Sequence, residues 1–345
     1  LSLFKRAGRA YLNAMSLIVA RPEGLYCPPG DFYIDPWRPV ARAVITHGHG
    51  DHARYGMGGY LCQSDSVPIL RRRLGEISVE GVAYGEVVER DGVRVSLHPA
   101  GHIMGSAQIR VEHKGEVWVA SGDYKIEPDG TCAPFEPIRC HGFVSESTFG
   151  LPIYRWRPQA EIAQEINRWW RANAAAGRAS VVFAYSLGKA QRVLALVDPE
   201  IGPIFAHGAV EPMNAIYRES GVALPATSSP AGVAKAELAR SLVIAPPSAA
   251  GSPWMRRFPD YADAFASGWM QVRGNRRRRG VDRGFVLSDH ADWAGLNAAI
   301  DATGASKVLV THGSTETLAR YLRERGLEAA GIHAEYGEED LGDAA

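Results

Sequence analysis

The sequence contains no apolar run approaching the ~20 residues that span a bilayer. Cysteine is scarce, with four among 345 residues. Cys27, Cys62, Cys132 and Cys140 show no CxxC spacing, which fits free thiols in a reducing cytoplasm rather than a disulfide framework. Neither charge sign is in excess: Lys+Arg and Asp+Glu are 38 each, so net charge points to no partner. There is no internal repeat and no low-complexity linker. Leu1 to Leu17 carries Lys5, Arg6 and Arg9 but lacks the continuous apolar stretch of a secretory signal. The chain opens on Leu and a more regular segment follows Met15, so residues 1–14 are given no functional weight.

What is present is the composition of an ordinary globular protein, 46% hydrophobic and 22% charged. The length allows two cores, or one domain with another inserted into it. From Asp31 to Asp123, short apolar runs (Ala41–Thr46, Val93–His98, Gln108–Glu112, Val117–Ser121) broken by Gly, Pro and Asp read as strands of a β-rich layer. From about Pro158 the texture changes. A helix over Gln159–Ala176 closed by Gly177, a strand over Val181–Tyr185 and a helix from Gly188 to Val197 come first. Ile204–Ala206, a helix near Met213–Glu219 and Leu242–Ala245 follow. Strands alternating with helices predict a parallel sheet covered on its faces. Gly284–Ser288, a helix after Asp292 and Lys307–Thr311 return to the first texture. The expected organisation is therefore an outer unit of 1–148 plus 284–345, with 149–283 inserted.

The chemistry concentrates in Thr46-His47-Gly48-His49-Gly50-Asp51-His52, directly after an apolar strand. Four donors within six positions suit first-row metals, since neutral imidazole binds zinc and its neighbours well. An adjacent Asp-His pair cannot easily face the ion that the first two histidines hold, but it can serve a second one. A chance surface cluster is the bland alternative; the interleaved glycines and the strand-end position argue against it. His102 lies in a turn between Gly101 and Gly105, Asp123 ends the run Val117–Gly122, and His312 follows Val308–Thr311. Each alone is more often a turn residue. Together, and with His290 after Phe285–Asp289, all fall beyond strand ends or in Gly-bounded loops, so one sheet rim can carry them.

The order H-x-H-x-D-H, then His102, then Asp123, resembles the metallo-β-lactamase fold, an αββα sandwich with metals at one edge. Glu146-Ser147-Thr148-Phe149-Gly150, Ser288-Asp289-His290-Ala291-Asp292 and Thr311-His312-Gly313 narrow the resemblance to the β-CASP nucleases. Ser186-Leu187-Gly188-Lys189-Ala190-Gln191 resembles the start of the first helix of the inserted α/β (β-CASP) domain, built on a mostly parallel sheet. The resemblance implies one metal held by His47, His49 and His102, a second by Asp51, His52 and His312, and Asp123 bridging. It makes Asp35, rather than Asp31, the support of the metal loop. It implies two divalent ions, zinc as bound and manganese as an activating metal. Asp51 would orient the attacking water, and His290, held by Glu146, would protonate the departing 3′-oxygen.

Pro28–Trp37 and the short chain resemble bacterial ligase-associated DNA exonucleases, which implies trimming of single-stranded DNA from a 5′ end in repair. It also implies partnership with a DNA ligase and a helicase. His312 pulls the other way, since a histidine there is associated with RNA-acting members, so an RNA 3′-end processing nuclease stands as the alternative. A small-molecule metallohydrolase of the glyoxalase or lactamase type is disfavoured by the insert and by the Glu146/His290 pair. A metal-free nucleic-acid scaffold is disfavoured because no ligand position is missing. Arg276, Arg277, Arg278 and Arg279 are expected to meet a phosphate backbone, as is Ser314. Charge runs are usually solvated faces and a turn serine usually meets water. Trp254, Phe258 and Trp269 can stack bases, although core packing is the stronger reading for each.

Overall fold

The computed structural model describes residues 16–258 and 260–332; the N-terminal stretch up to residue 15 lies outside the described residues. These residues form two compact units. One comprises the chain up to Pro128, Cys132–Ile153 and the chain from His290; the other comprises Asp129–Thr131 and Tyr154–Asp289.

Two sheets make the first unit. In one, β1 (Val19–Arg21), β2 (Gly24–Cys27), β3 (Phe32–Ile34), β4 (Ala43–Val44), β5 (Tyr60–Gln63) and β6 (Val79–Val82) lie in sequence order. The other runs β18-β17-β11-β10-β9-β8-β7. Its strands are β7 (Val87–Arg90), β8 (Val93–Pro99), β9 (Ala107–His113), β10 (Glu116–Ala120), β11 (Gly142–Glu146), β17 (Lys307–Thr311) and β18 (Glu328–Gly331). Successive side chains of a strand point to opposite faces, and the core follows that rule. Trp118, Ala120 and Leu309 meet Leu25, Ile34, Val44 and Leu61 of the first sheet. Their neighbours Val117, Val119, Val308 and Val310 pack instead on Leu296, Ile300, Leu318 and Leu322, which belong to α7 (Trp293–Thr303) and α8 (Thr315–Glu324). On the far face of the first sheet, Ala43, Ile45, Tyr60 and Cys62 cover Leu70 of α1 (Ser66–Leu74). This unit is an αββα sandwich. The continuous apolar run Val308-Leu309-Val310 is what burial on both faces requires.

The second unit is built on one sheet in the order β13-β14-β12-β15-β16, with every pair parallel. Its strands are β12 (Ala179–Phe183), β13 (Ile204–Ala206), β14 (Leu242–Ala245), β15 (Tyr261–Ala266) and β16 (Arg283–Phe285). Its helices are α2 (Gln159–Ala175), α3 (Lys189–Leu196), α4 (Glu211–Glu219), α5 (Lys235–Leu238) and α6 (Arg273–Arg279). Val182, Leu242 and Ile244 face Ile166 and Trp170 of α2 and Val193 of α3, while Val181, Val243 and Phe183 face Leu238, Met255 and Met270.

The strand expected over 181–185 lies at Ala179–Phe183 and that over 117–121 at Glu116–Ala120, and two others differ in extent or in sheet. The strand expected over 41–46 reduces to Ala43–Val44, because Ile45 and Thr46 already turn into the His-rich loop. The strand expected over 284–288 is Arg283–Phe285, and it pairs with β15 in the second unit's sheet, so the return to the outer unit comes after it. No helix among the described residues is long and apolar enough to cross a membrane.

Candidate metal centre

β10, β11 and β17 run parallel. β8 runs the same way as β10, since both are antiparallel to β9. Their C-terminal ends therefore share one edge, where Asp123, Glu146, His312 and the loop bearing His102 emerge. β4, in the facing sheet, delivers His47, His49, Asp51 and His52 to the same place.

The structure brings all seven expected ligands together in two groups. Ligating atoms of His47, His49, His102 and Asp123 lie within 4.8 Å of one another, as do those of Asp51, His52 and His312. His49 Nδ1 is 3.1 Å from His47 Nε2 and 3.0 Å from His102 Nε2. Asp123 Oδ2 is 3.5 Å from His47 Nε2 and 3.3 Å from His52 Nε2, so one carboxylate oxygen serves both groups. Asp51 Oδ2 stands 3.6 Å from His52 Nε2 and 3.9 Å from His312 Nε2. Atoms bonded at ~2.0–2.1 Å to one tetrahedral ion stand roughly 3.3 Å apart, and the separations of these donors bracket that value, from 3.0 to 3.9 Å.

The electrostatics fit a cation as well. Asp51 Oδ2 and Asp123 Oδ1 are buried and accept no hydrogen bond, an arrangement that is costly for a carboxylate unless a cation meets it. Burial holds His47 well below the ordinary histidine range, reinforced by the neighbouring histidines. Burial likewise takes His312 down to about 3. Both rings are thus neutral, the form that binds metal. His52 goes the other way: burial would lower its pKa, but Asp123, Asp51 and Asp35 together raise it well above the usual value. That concentration of negative charge is what divalent cations neutralise.

The second nitrogens are anchored, which fixes ring orientation. Asp35 Oδ2 is 2.7 Å from His52 Nδ1, and Asp35 Oδ1 accepts from the Thr46 amide at 2.8 Å. Thr46 Oγ1 donates to Asp35 and lies 3.0 Å from His47 Nδ1. Thr311 Oγ1 is 3.1 Å from His312 Nδ1. Asp31 instead accepts from Tyr26. His312 and Asp35 both hold left-handed backbone, with φ of 56° and 43°. Such strain persists only where the surroundings enforce it. At His312 the Ser147 hydroxyl binds the carbonyls of Thr311 and His312. Thr46, Thr311 and Ser147 escaped the sequence reading, since a hydroxyl beside a motif has no signature until its partners fold around it.

Glu146 and His290 form a pair beside the donors. Glu146 Oε1 and Oε2 are 3.0 and 2.9 Å from His290 Nδ1, both residues being buried. The Tyr124 amide donates to Glu146 at 2.7 Å, and the His290 ring lies 4.6 Å from that of His102. Ser314 is the half-buried residue before α8, its amide donating to the Ser147 carbonyl. The arginines expected to bind phosphate fall on α6 of the second unit. Arg278 bonds Asn275, and Arg279 lies over the Phe265 ring at 4.6 Å. Phe258 is buried, and Trp254 and Trp269 pack against the same core.

A sandwich carrying a His/Asp cluster of this kind at its strand ends is the architecture of the metallo-β-lactamase fold. Over 314 residues the chain is 32% identical to a probable DNA ligase of Opitutus terrae, an alignment spanning 90% of this chain and 30% of that protein. Over 122 residues it is 29% identical to the endoribonuclease YSH1 of Candida albicans, covering 35% of this chain and 14% of the relative. It is 26% identical over 124 residues to cleavage and polyadenylation specificity factor subunit 3 of Dictyostelium discoideum, covering 35% of this chain and 16% of that protein. The chain thus spans less than a third of each of these relatives. A solved structure of a protein of unknown function from Enterococcus faecalis shares the fold, with a TM-score of 0.56 at 13% identity over 86% of this chain and 80% of that one. No family model matches the chain. The chain is thus homologous to the β-CASP nucleases of the metallo-β-lactamase fold, and its sandwich and His/Asp cluster are consistent with that homology.

Proposed function

We propose that this chain is a two-metal phosphodiesterase that trims single-stranded DNA from the 5′ end during repair. The observation that carries the reading is the Glu146–His290 pair set against the buried donor cluster. A phosphodiester needs charge neutralisation at phosphorus and a proton for a poor leaving group, and the two features supply one each. His47, His49, His102 and Asp123 would hold one ion, and Asp51, His52, His312 and Asp123 the other. Divalent cations bound there, zinc or manganese, supply Lewis acidity and lower the pKa of water. Asp51 orients the attacking water. Glu146 fixes the His290 ring through Nδ1, so that Nε2 carries the proton to the departing 3′-oxygen. A positioned acid contributes ~10²–10⁴-fold. Asp35 steadies the metal loop through His52. Ser314 contacts a phosphate; separately, Arg277, Arg278 and Arg279 attract the strand by charge, and the Arg276 side chain lies outside the described residues.

The choice of DNA is supported by the Opitutus terrae relative, whose name is that of an enzyme joining DNA ends and in which a segment similar to this chain makes up 30% of the length. A DNA ligase and a helicase are the partners this reading assigns. The second reading, a ribonuclease, is favoured by the endoribonuclease relatives and by His312. The test incubates the protein with end-labelled single-stranded DNA and RNA, with zinc and then manganese. The reading expects stepwise loss from the 5′ end of DNA. Preferential cleavage of RNA would give the second reading, and hydrolysis of a thioester or lactam without cleavage of either polymer would sink both.

A further inference from the structure

α3 carries two cations that are buried as completely as any apolar residue beside them. Lys189 is 2% and Arg192 1% exposed, three positions apart and so on one face of the helix. Lys189 Nζ donates to Asp289 Oδ1. Arg192 donates through one nitrogen to the carbonyl of Ser288 and through another to Asp129. The helix start that presents them is fixed by Gln191, whose side chain accepts from the Gly188 amide at 2.7 Å and donates to Asn214 at 2.8 Å. Both cations thus grip the backbone or carboxylate of the two residues that immediately precede His290. On the other side, the Ala291 amide donates to the Tyr124 carbonyl at 2.7 Å, and Tyr124 in turn donates to Glu146.

Buried ion pairs contribute little net stability compared with apolar residues of the same volume. Two buried cations that reach from one short helix to one dipeptide, Lys189 through an ion pair with Asp289 and Arg192 through the Ser288 carbonyl, are better accounted for by geometry. We infer that Lys189 and Arg192 are positioning residues: by clamping Ser288-Asp289 they hold the backbone that aims His290, and so set the efficiency of proton delivery to the leaving group. The inference rests on the nuclease reading above, with His290 as the acid.

The test compares two oligodeoxynucleotides of one sequence on the metal-loaded full chain. One is unmodified; in the other the scissile 3′-oxygen is sulfur, which leaves as a thiolate without needing a proton. Lys189→Met is expected to lower kcat on the oxygen substrate by ~10–10²-fold, the scale of a misplacement near 1 Å, with KM kept and the sulfur substrate cleaved at the wild-type rate. Lys189→Arg should restore the oxygen rate. In metal-free protein, Lys189→Met should speed amide hydrogen exchange at 288–291 and leave β8–β10 unchanged. Because Lys189→Met strands a buried carboxylate, the doubly neutral Lys189→Met/Asp289→Leu variant is measured beside it and should show the same selective loss. Equal losses on both substrates, or no loss on either, would overturn the inference while leaving the nuclease reading intact. A wild-type chain that cleaves neither overturns the reading beneath it, and the inference with it.

Discussion

Asp35 Oδ2 sits 2.7 Å from His52 Nδ1, and both residues are buried. That contact fixes which nitrogen of His52 is presented to Asp51 and Asp123. Asp35 also takes the Thr46 amide and hydroxyl, so it organises the loop start as well as the ring. Asp35→Asn should therefore weaken metal binding by about 10–100-fold. Competition against a chromophoric chelator reads this directly, and an unchanged affinity would remove Asp35 from the account.

His290→Ala removes the proposed acid while leaving the seven donors in place. The expected result is a ~10²–10⁴-fold fall in kcat on unmodified DNA, with metal content and strand affinity as in the wild type. Loss of metal from this variant would show that His290 belongs to the ligand set instead.

Gly122 has φ of +56°, and a Cβ there would stand 2.6 Å from the Thr46 Cβ and Oγ1. Gly122→Ala should cost about 1–3 kcal/mol in stability, since both the backbone conformation and the contact resist it. It should also loosen metal binding, because Gly122 carries Asp123 and presses on the threonine that orients His47 and His52. Denaturant unfolding of the metal-free protein measures the first effect and chelator competition the second.

Burial pushes the thiols of Cys27 and Cys140 up to about 11 and that of Cys62 to about 12, from an ordinary value of 9.0. An unfolded chain releases these protons near pH 9 while the folded one keeps them. Stability is thus fully present below pH 9 and falls as pH rises toward 11, by about 1.4 kcal/mol per unit for each thiol. Urea titrations at pH 8, 9.5 and 10.5 should show that decline. At pH 8, native protein should be alkylated at the half-buried Cys132 and spared at the other three.

The metal loop was legible because its donors are local: four of them occupy six positions, and no fold is needed to see that they converge. His102, Asp123 and His312 were legible only as strand-end residues in a recognisable order, since each becomes informative through the shared edge of β8, β10 and β17. The hydroxyls of Thr46, Ser147 and Thr311 could not be read at all; Ser147 meets His312 across the gap between β11 and β17. Runs with both faces buried, such as Lys307–Thr311 and Leu242–Ala245, were placed to the residue. Short strands such as Val19–Arg21 and Val79–Val82 went unread, for three or four residues carry too little periodicity. The same shortness hid which sheet Arg283–Phe285 joins, because a strand's apolar pattern does not name its neighbour.

The central claim is a pair of ions held by seven side chains, with Asp123 shared between them. Counting metal per chain by mass spectrometry, after zinc loading and removal of excess, tests it most directly. The account predicts two ions per chain, falling to one in His312→Ala. A wild-type chain that retains one ion or none would contradict it.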